Sequence, residues 1–407
     1  MPVYKTPGVY IKEVEIGGKP IEGVSTSVAA FIGITAGGDS YTNKPTLITS
    51  WGEFVAKFGR YTQTEKDDQL SEEEKKRKRE ILNMSGSVYG FFQNGGRRCY
   101  IVKVPDTTDS SIIGTDEGPG KRTGLHSLKE VDEVSIVVAP GVVESSIQTQ
   151  IISHCETMKD RIAVLDIPED YDKSQAESFV ENISSEKGYA AVYYPWINVF
   201  VEREEKLPED KEKRIVLEET FLPPSGYVAG VYARTDAERG VHKAPANEVL
   251  SGVIGLKLKI TDSDQEGLNE KNINCIRSFP GRGIRIWGAR TIASNELWKY
   301  INVRRLFMFI EESIEEGIQW VVFEPNDKAL WDRVKQSISS FLLTLWRDGA
   351  LMGSTPEEAF FVKCDETTMT PDDINNGRLI CEVGIAPVKP AEFVIIKIAQ
   401  LTASAKQ

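Results

Sequence analysis

Three histidines, His126, His154 and His242, are the only imidazoles available to activate a serine or cysteine, and no Gly-x-Ser-x-Gly elbow accompanies them. His154 and Cys155 adjoin each other in an amphipathic stretch, where both read as packing or surface residues rather than metal ligands. His242 sits in the turn-rich run Gly240-Val241-His242-Lys243-Ala244-Pro245, which loop geometry explains without chemistry. The run Gly118-Pro119-Gly120-Lys121-Arg122-Thr123 approaches a phosphate cradle. It lacks the first glycine and puts Arg122 where a magnesium-binding hydroxyl belongs, so it reads as a flexible basic loop. Phe279-Pro280-Gly281-Arg282-Gly283-Ile284 lacks a third glycine and a following helix signal, and reads as a tight turn. The acidic pairs Asp262/Asp264 and Asp372/Asp373 could hold an ion or exchange protons, but acids this close on a loop or helix start are expected to be solvated or to cap. Asp166 ends an apolar run, the position where α/β folds place reactive groups, and an α/β hydrolase or transferase would rest on it; no neighbouring residue supports that role. The expectation is therefore a chain without catalytic residues, metal or cofactor.

The whole chain agrees with that reading. Its 407 residues, 40% hydrophobic and 27% charged, are enough for two or three domains with real cores. A formal charge of −12 disfavours direct nucleic-acid binding, which draws on surplus Lys and Arg. No apolar run reaches the roughly 18 residues that cross a bilayer, and the N-terminus lacks the basic and apolar regions of a signal peptide. Synthesis in the cytoplasm without stable membrane insertion is expected. Cys99, Cys155, Cys275, Cys364 and Cys381 are odd in number and never spaced Cys-x-x-Cys, so reduced and mostly buried thiols are expected.

The elements that must position these residues follow from periodicity. Residues 9–14 read as a short strand before the Gly17-Gly18 hinge, and 25–34 as a buried strand. Ser50-Trp51-Gly52-Glu53 is a capping-box pattern opening a helix through Phe54 and Phe58 to Gly59. Residues 64–80 are too charged to pack on any side, and 106–124 read as a disordered linker and domain boundary. From 134 to 194, apolar runs alternate with helical spacing (strands at 134–139, 162–167 and 190–194; helices at 147–158 and 174–183), which predicts an α/β layer with a mainly parallel sheet. The charged stretch 202–219 reads as a surface excursion. Ser294 is the expected cap of a helix carrying Phe307, Ile310 and Ile314 to Gly317, followed by a buried strand at 319–323. Leu330, Val334, Ile338, Phe341 and Leu345 mark a long amphipathic helix ending at Gly349. Thr355-Pro356 and Thr370-Pro371 begin helices, and 393–401 reads as a terminal strand.

Several blocks carry a resemblance. Pro7-Gly8-Val9-Tyr10, Gly23-Val24-Ser25-Thr26-Ser27, Phe31-Ile32-Gly33 and Phe91-Phe92-Gln93-Asn94-Gly95-Gly96-Arg97-Arg98-Cys99-Tyr100 are similar to the N-terminal part of contractile tail sheath proteins. Asn272-Ile273-Asn274, Arg285-Ile286-Trp287-Gly288-Ala289-Arg290-Thr291, Tyr300-Ile301-Asn302-Val303-Arg304-Arg305-Leu306, Trp320-Val321-Val322-Phe323-Glu324-Pro325-Asn326 and Ala386-Pro387-Val388-Lys389-Pro390-Ala391-Glu392-Phe393 resemble that family's signature blocks, in its order. The charged stretch at 64–80 has no counterpart and reads as an insertion. The family spans phage tails, R-type bacteriocins and extracellular injection particles.

The resemblance implies an α/β protein, α+β overall, with a discontinuous inner domain built from N- and C-terminal parts and an inserted outer α/β domain. The expected limits are an N-terminal arm at 1–22, core at 23–105, linker at 106–124, outer domain at 125–265, tube-facing domain at 266–389 and C-terminal arm at 390–407. It implies a homo-oligomer of hexameric rings stacked helically around an inner tube protein, with baseplate and terminator or cap proteins at the ends, in a phage tail or a tail-like particle that can be released from the cell. Contraction would drive the tube through a target envelope. Strand exchange between subunits would use Val9, Tyr10, Ile11 and Val14 at one end and Phe393, Val394, Ile395, Ile396 and Ile398 at the other, and β-prone termini behind turn-rich hinges suit that role. Arg333, Lys335 and Arg347 are expected to face the tube. A sheath paralogue at the baseplate or terminator end is the nearest alternative; a monomeric adhesin is disfavoured by the missing export signal.

Overall fold

A computed structural model of the chain describes residues 20–61, 70–206 and 213–396. The expected N-terminal strand with Val9, Tyr10, Ile11 and Val14, and Ile398 at the other end, lie outside the described residues. The chain divides into a larger unit, 25–310 with 387–407, and a smaller one, 1–24 with 311–386.

The larger unit holds strands β1 (Ala29–Gly33), β2 (Thr46–Ile48), β3 (Cys99–Lys103), β4 (Ile136–Val138), β5 (Ile162–Asp166), β6 (Ala190–Tyr194), β7 (Ile197–Lys206), β8 (Lys213–Leu222), β9 (Val253–Leu256), β10 (Ile273–Phe279) and β11 (Gly283–Trp287). Eight of them form one sheet in the order β11-β10-β6-β5-β4-β1-β3-β2. Pairing is parallel from β10 to β3 and antiparallel only at the two edges. Strands β1, β4, β5 and β6 are buried at every position, as a parallel sheet covered on both faces requires, and their sequences accordingly run apolar without alternation. The sheet draws on segments from both sides of 106–124 and of residue 265, so it is continuous across limits expected from the sequence.

Its helices are α1 (Trp51–Phe58), α2 (Glu72–Gln93), α3 (Asp109–Ile113), α4 (Ser145–Met158), α5 (Lys173–Val180), α6 (Ser225–Arg239) and α7 (Asp262–Glu270), and α8 (Ile301–Gly317) begins here. Helices α2 and α6 lie unusually close because each turns glycines toward the other. A Cβ on Gly90 would fall 2.1 Å from the Tyr227 ring, and one on Gly226 would fall 2.4 Å from the Ser87 Cβ.

Four expectations are corrected in this unit. The segment 106–124 is ordered, because its polar groups satisfy one another: Asp106 accepts from the Thr108 backbone at 3.0 Å, Arg122 pairs with Asp116 at 2.7 Å, and 109–113 is helical. From Glu72 the charged stretch is the first half of α2, opened by a Ser71/Glu74 capping box, and it is not wholly solvated: Arg79 donates to the Phe221 carbonyl at 2.7 Å and lies 5.4 Å from the Trp196 ring centroid. The excursion at 202–219 is a β-hairpin, β7 pairing with β8 over ten residues from each strand, with β9 on the other side of β7. Ser294 is no helix cap; Asn295 caps a short turn and α8 starts only at Ile301.

The smaller unit contains the end of α8, then α9 (Lys328–Arg347), α10 (Pro356–Ala359), β12 (Phe360–Lys363), α11 (Pro371–Asn375) and β13 (Glu382–Ile385). The Asp327 carboxylate accepts from the Leu330 backbone at 2.8 Å to start α9, which buries Leu330, Val334, Ile338 and Phe341 and packs against β12. The expected buried strand at 319–323 is instead a 3-10 turn. Its amides bond locally, Val321 to Ile318 and Val322 to Gln319, and Phe323, left-handed at φ 70°, is fully exposed. Strands β12 and β13 form a two-stranded antiparallel sheet.

Candidate assembly surfaces

Asp166 sits at the C-terminal end of β5, over the start of α6. Its carboxylate accepts from the Ser225 backbone at 3.0 Å, the Ser225 hydroxyl at 2.6 Å and the Gly141 backbone at 3.1 Å. Burial raises its pKa to about 6 against the pull of those donors. Its side chain is sealed from solvent and its oxygens are committed to anchoring a helix start, so it offers no surface to a substrate.

The other chemical candidates resolve in the same manner. Asp264 closes a capping box with Thr261 while Asp262 pairs with Arg277 at 2.7 Å. Asp373 closes a box with Thr370, and both Asp372 and Asp373 take hydrogen bonds from Arg378 at 2.8 Å. His154 is buried beside Arg161, its pKa pressed down to about 3 by burial and then by that charge, which leaves a neutral packing imidazole. Arg122 of the glycine-rich loop is held by Asp116 and Glu130. Among the described residues no cluster of His, Cys, Asp and Glu is arranged to hold a metal ion, and no helix is long and apolar enough to cross a membrane.

What remains are surfaces built for contact. After β13 the chain re-enters the larger unit, where the Asn302 side chain donates to the Val388 carbonyl at 3.1 Å. Four residues on, the Glu392 carboxylate accepts from the Arg290 guanidinium at 2.8 Å through each oxygen, from Asn269 at 3.2 Å and from Tyr300 at 3.1 Å. Burial opposes its ionisation, but these donors and the Arg290 charge prevail and hold it below the ordinary carboxylate range. Immediately beyond this fixed point Phe393, Val394, Ile395 and Ile396 are 73–82% exposed and form no strand among the described residues. Over its described part, 393–396, the expected terminal strand makes no ladder with any other described residue.

Thr26, where the other arm enters the larger unit, is held in a comparable way. Its hydroxyl donates to Asp236 at 2.6 Å, and its carbonyl accepts from Arg305 at 2.8 Å. Arg305 and Asp236 form a buried two-pronged ion pair, with Arg305 also 4.7 Å from the Tyr232 ring centroid.

In the smaller unit the β12–β13 ribbon presents open edges among the described residues, with the Phe361 ring, 57% exposed, lying over Gly384. Of the three expected tube-facing cations, Lys335 and Arg347 are exposed; Arg333 is half-buried, 3.5 Å from Glu324 and 5.2 Å from the Trp320 ring centroid. At about 100° per residue Arg333 and Arg347 fall within about 40° of each other on α9, whereas Lys335 lies about 160° from Arg333. One helix face therefore carries two of the three. Sequence spacing missed one juxtaposition: Cys364 and Cys381, flanking the ends of β12 and β13, meet side by side.

Comparison with known proteins adds to this geometry. Residues 117–292 match the phage tail sheath protein central domain, and residues 293–400 the phage tail sheath C-terminal domain. The PVC sheath complex, an extracellular contractile injection system in its contracted state, is similar over 98% of this chain and 99% of that one, at 31% identity and a TM-score of 0.74. A chain of the anti-feeding prophage baseplate is 34% identical, covering 98% of this chain and 100% of that one, with a TM-score of 0.71. The tail sheath protein of Escherichia phage P2 is 21% identical over 412 residues, covering 96% of this chain and 94% of its own length.

Proposed function

The chain belongs to the phage tail sheath family, a structural subunit of a contractile sheath and not an enzyme, and from that premise we propose that it forms the repeating shaft. Copies stack as hexameric rings around an inner tube and are joined by their terminal arms. The observation that carries this reading is the C-terminal root: Glu392 is fixed by three side chains, and the four large apolar residues after it are exposed and join no strand among the described residues. Such a segment is a strand waiting for an edge, and the open β12–β13 ribbon of a neighbouring copy is the edge we assign to it, with residues 9–14 of another copy completing the sheet. Backbone ladders tolerate rotation of the bodies they connect, so the lattice stays linked when the sheath shortens. The free energy of contraction then resides in two alternative packings of the same subunits, without a fuel site. Arg333 and Arg347 are proposed to meet the tube from one face of α9, and Lys335 from another.

A second reading, a sheath paralogue anchored at the baseplate, is favoured by the likeness to a chain of the anti-feeding prophage baseplate. Negative-stain electron microscopy of the purified chain separates the two. Ringed hollow cylinders from the full chain, and dispersed particles from versions lacking 1–16 or 393–407, are the expected result. Dispersed particles from the full chain even with tube protein present would overturn the shaft reading in favour of the baseplate.

A further inference from the structure

The last ladder pair of the β12–β13 ribbon joins Lys363 to Glu382, which makes Cys364 and Cys381 the next residues in register. Their thiols lie within hydrogen-bonding reach of each other. Directly opposed antiparallel residues hold their Cβ atoms about 4.5–5.5 Å apart, and a disulfide needs roughly 3.5–4.5 Å. The loop between them is already drawn together, because the Thr368 hydroxyl lies 2.9 Å from both the Asp365 and the Ile380 carbonyl oxygens. Cys364 is buried, but Cys381 is partly exposed and open to a small reagent.

The pair is also chemically distinct from the other cysteines. The hydrogen bond from Cys381 lowers the Cys364 pKa, the Lys335 charge adds to this against the cost of burial, and the same shared proton raises Cys381. Cys99 and Cys155 are pushed far up by burial, and Cys275 to about 12, which leaves all three inert.

We propose that Cys364 and Cys381 are a modification site at which a small-molecule disulfide installs an intramolecular cross-link, closing the end of the β12–β13 ribbon. The pair shares one proton; when that proton sits on Cys364, the partly exposed Cys381 sulfur is the thiolate and attacks one sulfur of oxidised glutathione, breaking its S–S bond and releasing one glutathione. The Cys364 thiolate then attacks the Cys381 sulfur of that mixed disulfide, forming the protein disulfide and releasing the second glutathione. Two protein thiols lose two electrons and two protons, and the two released thiols carry them away. The cross-link fixes the register of the ribbon to which neighbouring arms are assigned, but its formation does not depend on that assignment and is read on dispersed chain.

The test is to incubate the full chain with oxidised glutathione, remove the reagent, and count free thiols after denaturation, with peptide mapping. The expected count falls from five to three, with Cys364 linked to Cys381, no retained glutathione, and recovery of all five on reduction. In Cys364→Ser the reaction stops at a glutathione adduct on Cys381, and Cys381→Ser keeps its four thiols. Five remaining thiols in the wild-type chain, a stable adduct on wild-type Cys381, or a link involving any other cysteine would each overturn the proposal.

Discussion

Arg290 and Glu392, 102 residues apart in sequence, meet in a two-pronged ion pair with both N···O distances at 2.8 Å, immediately before the exposed residues 393–396. Glu392→Gln replaces one carboxylate oxygen with an amide that cannot accept from Arg290. Urea unfolding should show a loss of about 1–3 kcal/mol, and ring assembly should require more protein. Because the folded pKa of Glu392 is depressed, its contribution is present above the unfolded value of about 4.3 and is lost as pH falls through the lower folded value. The variant should lack that part of the acid dependence; an unchanged acid limb would show that the pair does not stabilise the fold.

Removing one member of the Arg305–Asp236 pair strands a buried charge. Asp236→Ala should cost about 3–5 kcal/mol by chemical denaturation, and the double change Asp236→Leu with Arg305→Met should cost less than Asp236→Ala alone. A double variant at least as unstable as the single would show that packing rather than charge governs the site.

Asp166 predicts the opposite pH sign from Glu392. Its folded pKa, raised to about 6, exceeds the unfolded value, so the native state holds more protons between those values and stability from this group falls as pH rises through that window, by on the order of 3 kcal/mol in full. Asp166→Asn should abolish this slope. Asp166→Ala should lose about 2–4 kcal/mol at neutral pH by leaving the Gly141 and Ser225 amides unpaired. Stability curves measured from pH 4 to 7 decide both.

The close approach of α2 and α6 leaves no room at Gly230, where a Cβ would sit 2.5 Å from the Phe91 carbonyl. Gly230→Ala should lower stability by about 1–3 kcal/mol. Gly52→Ala, in α1 with open space around it, should be neutral or stabilise by up to about 1 kcal/mol. Thermal melts of the two variants side by side make the comparison.

Reversing Arg333, Lys335 and Arg347 to glutamate should leave the dispersed chain folded, apart from a small cost where the new carboxylate at position 333 opposes Glu324, and should abolish assembly on tube at low salt. Normal assembly of this variant on tube at both low and high salt would remove these residues from the tube interface.

Local rules make parts of this architecture readable. The α/β run from 134 to 194 is legible because each element keeps one period between clear turn residues, and helix starts such as Ser50 and Thr370 are legible because capping is settled within four residues. At Ser50 even this is incomplete, since Glu53 reaches the Thr49 amide rather than its own cap. Helix α2 is hidden because its first half is charged and its second half is small and buried against α6, so neither half shows an apolar stripe. The run at 319–323 has strand composition, but without an adjacent edge its amides close a turn.

Residue type and spacing along the chain suffice for the family resemblance, the parallel α/β layer and the apolar character of residues 393–396, because each of these is a local property of the chain. Folding had to be seen before it was clear that Asp166 is sealed under a helix start, that Arg290 holds Glu392, that Arg305 holds Asp236 and that Cys364 meets Cys381. Each of these depends on contacts between residues brought together by the topology of the fold, which spacing along one chain does not encode.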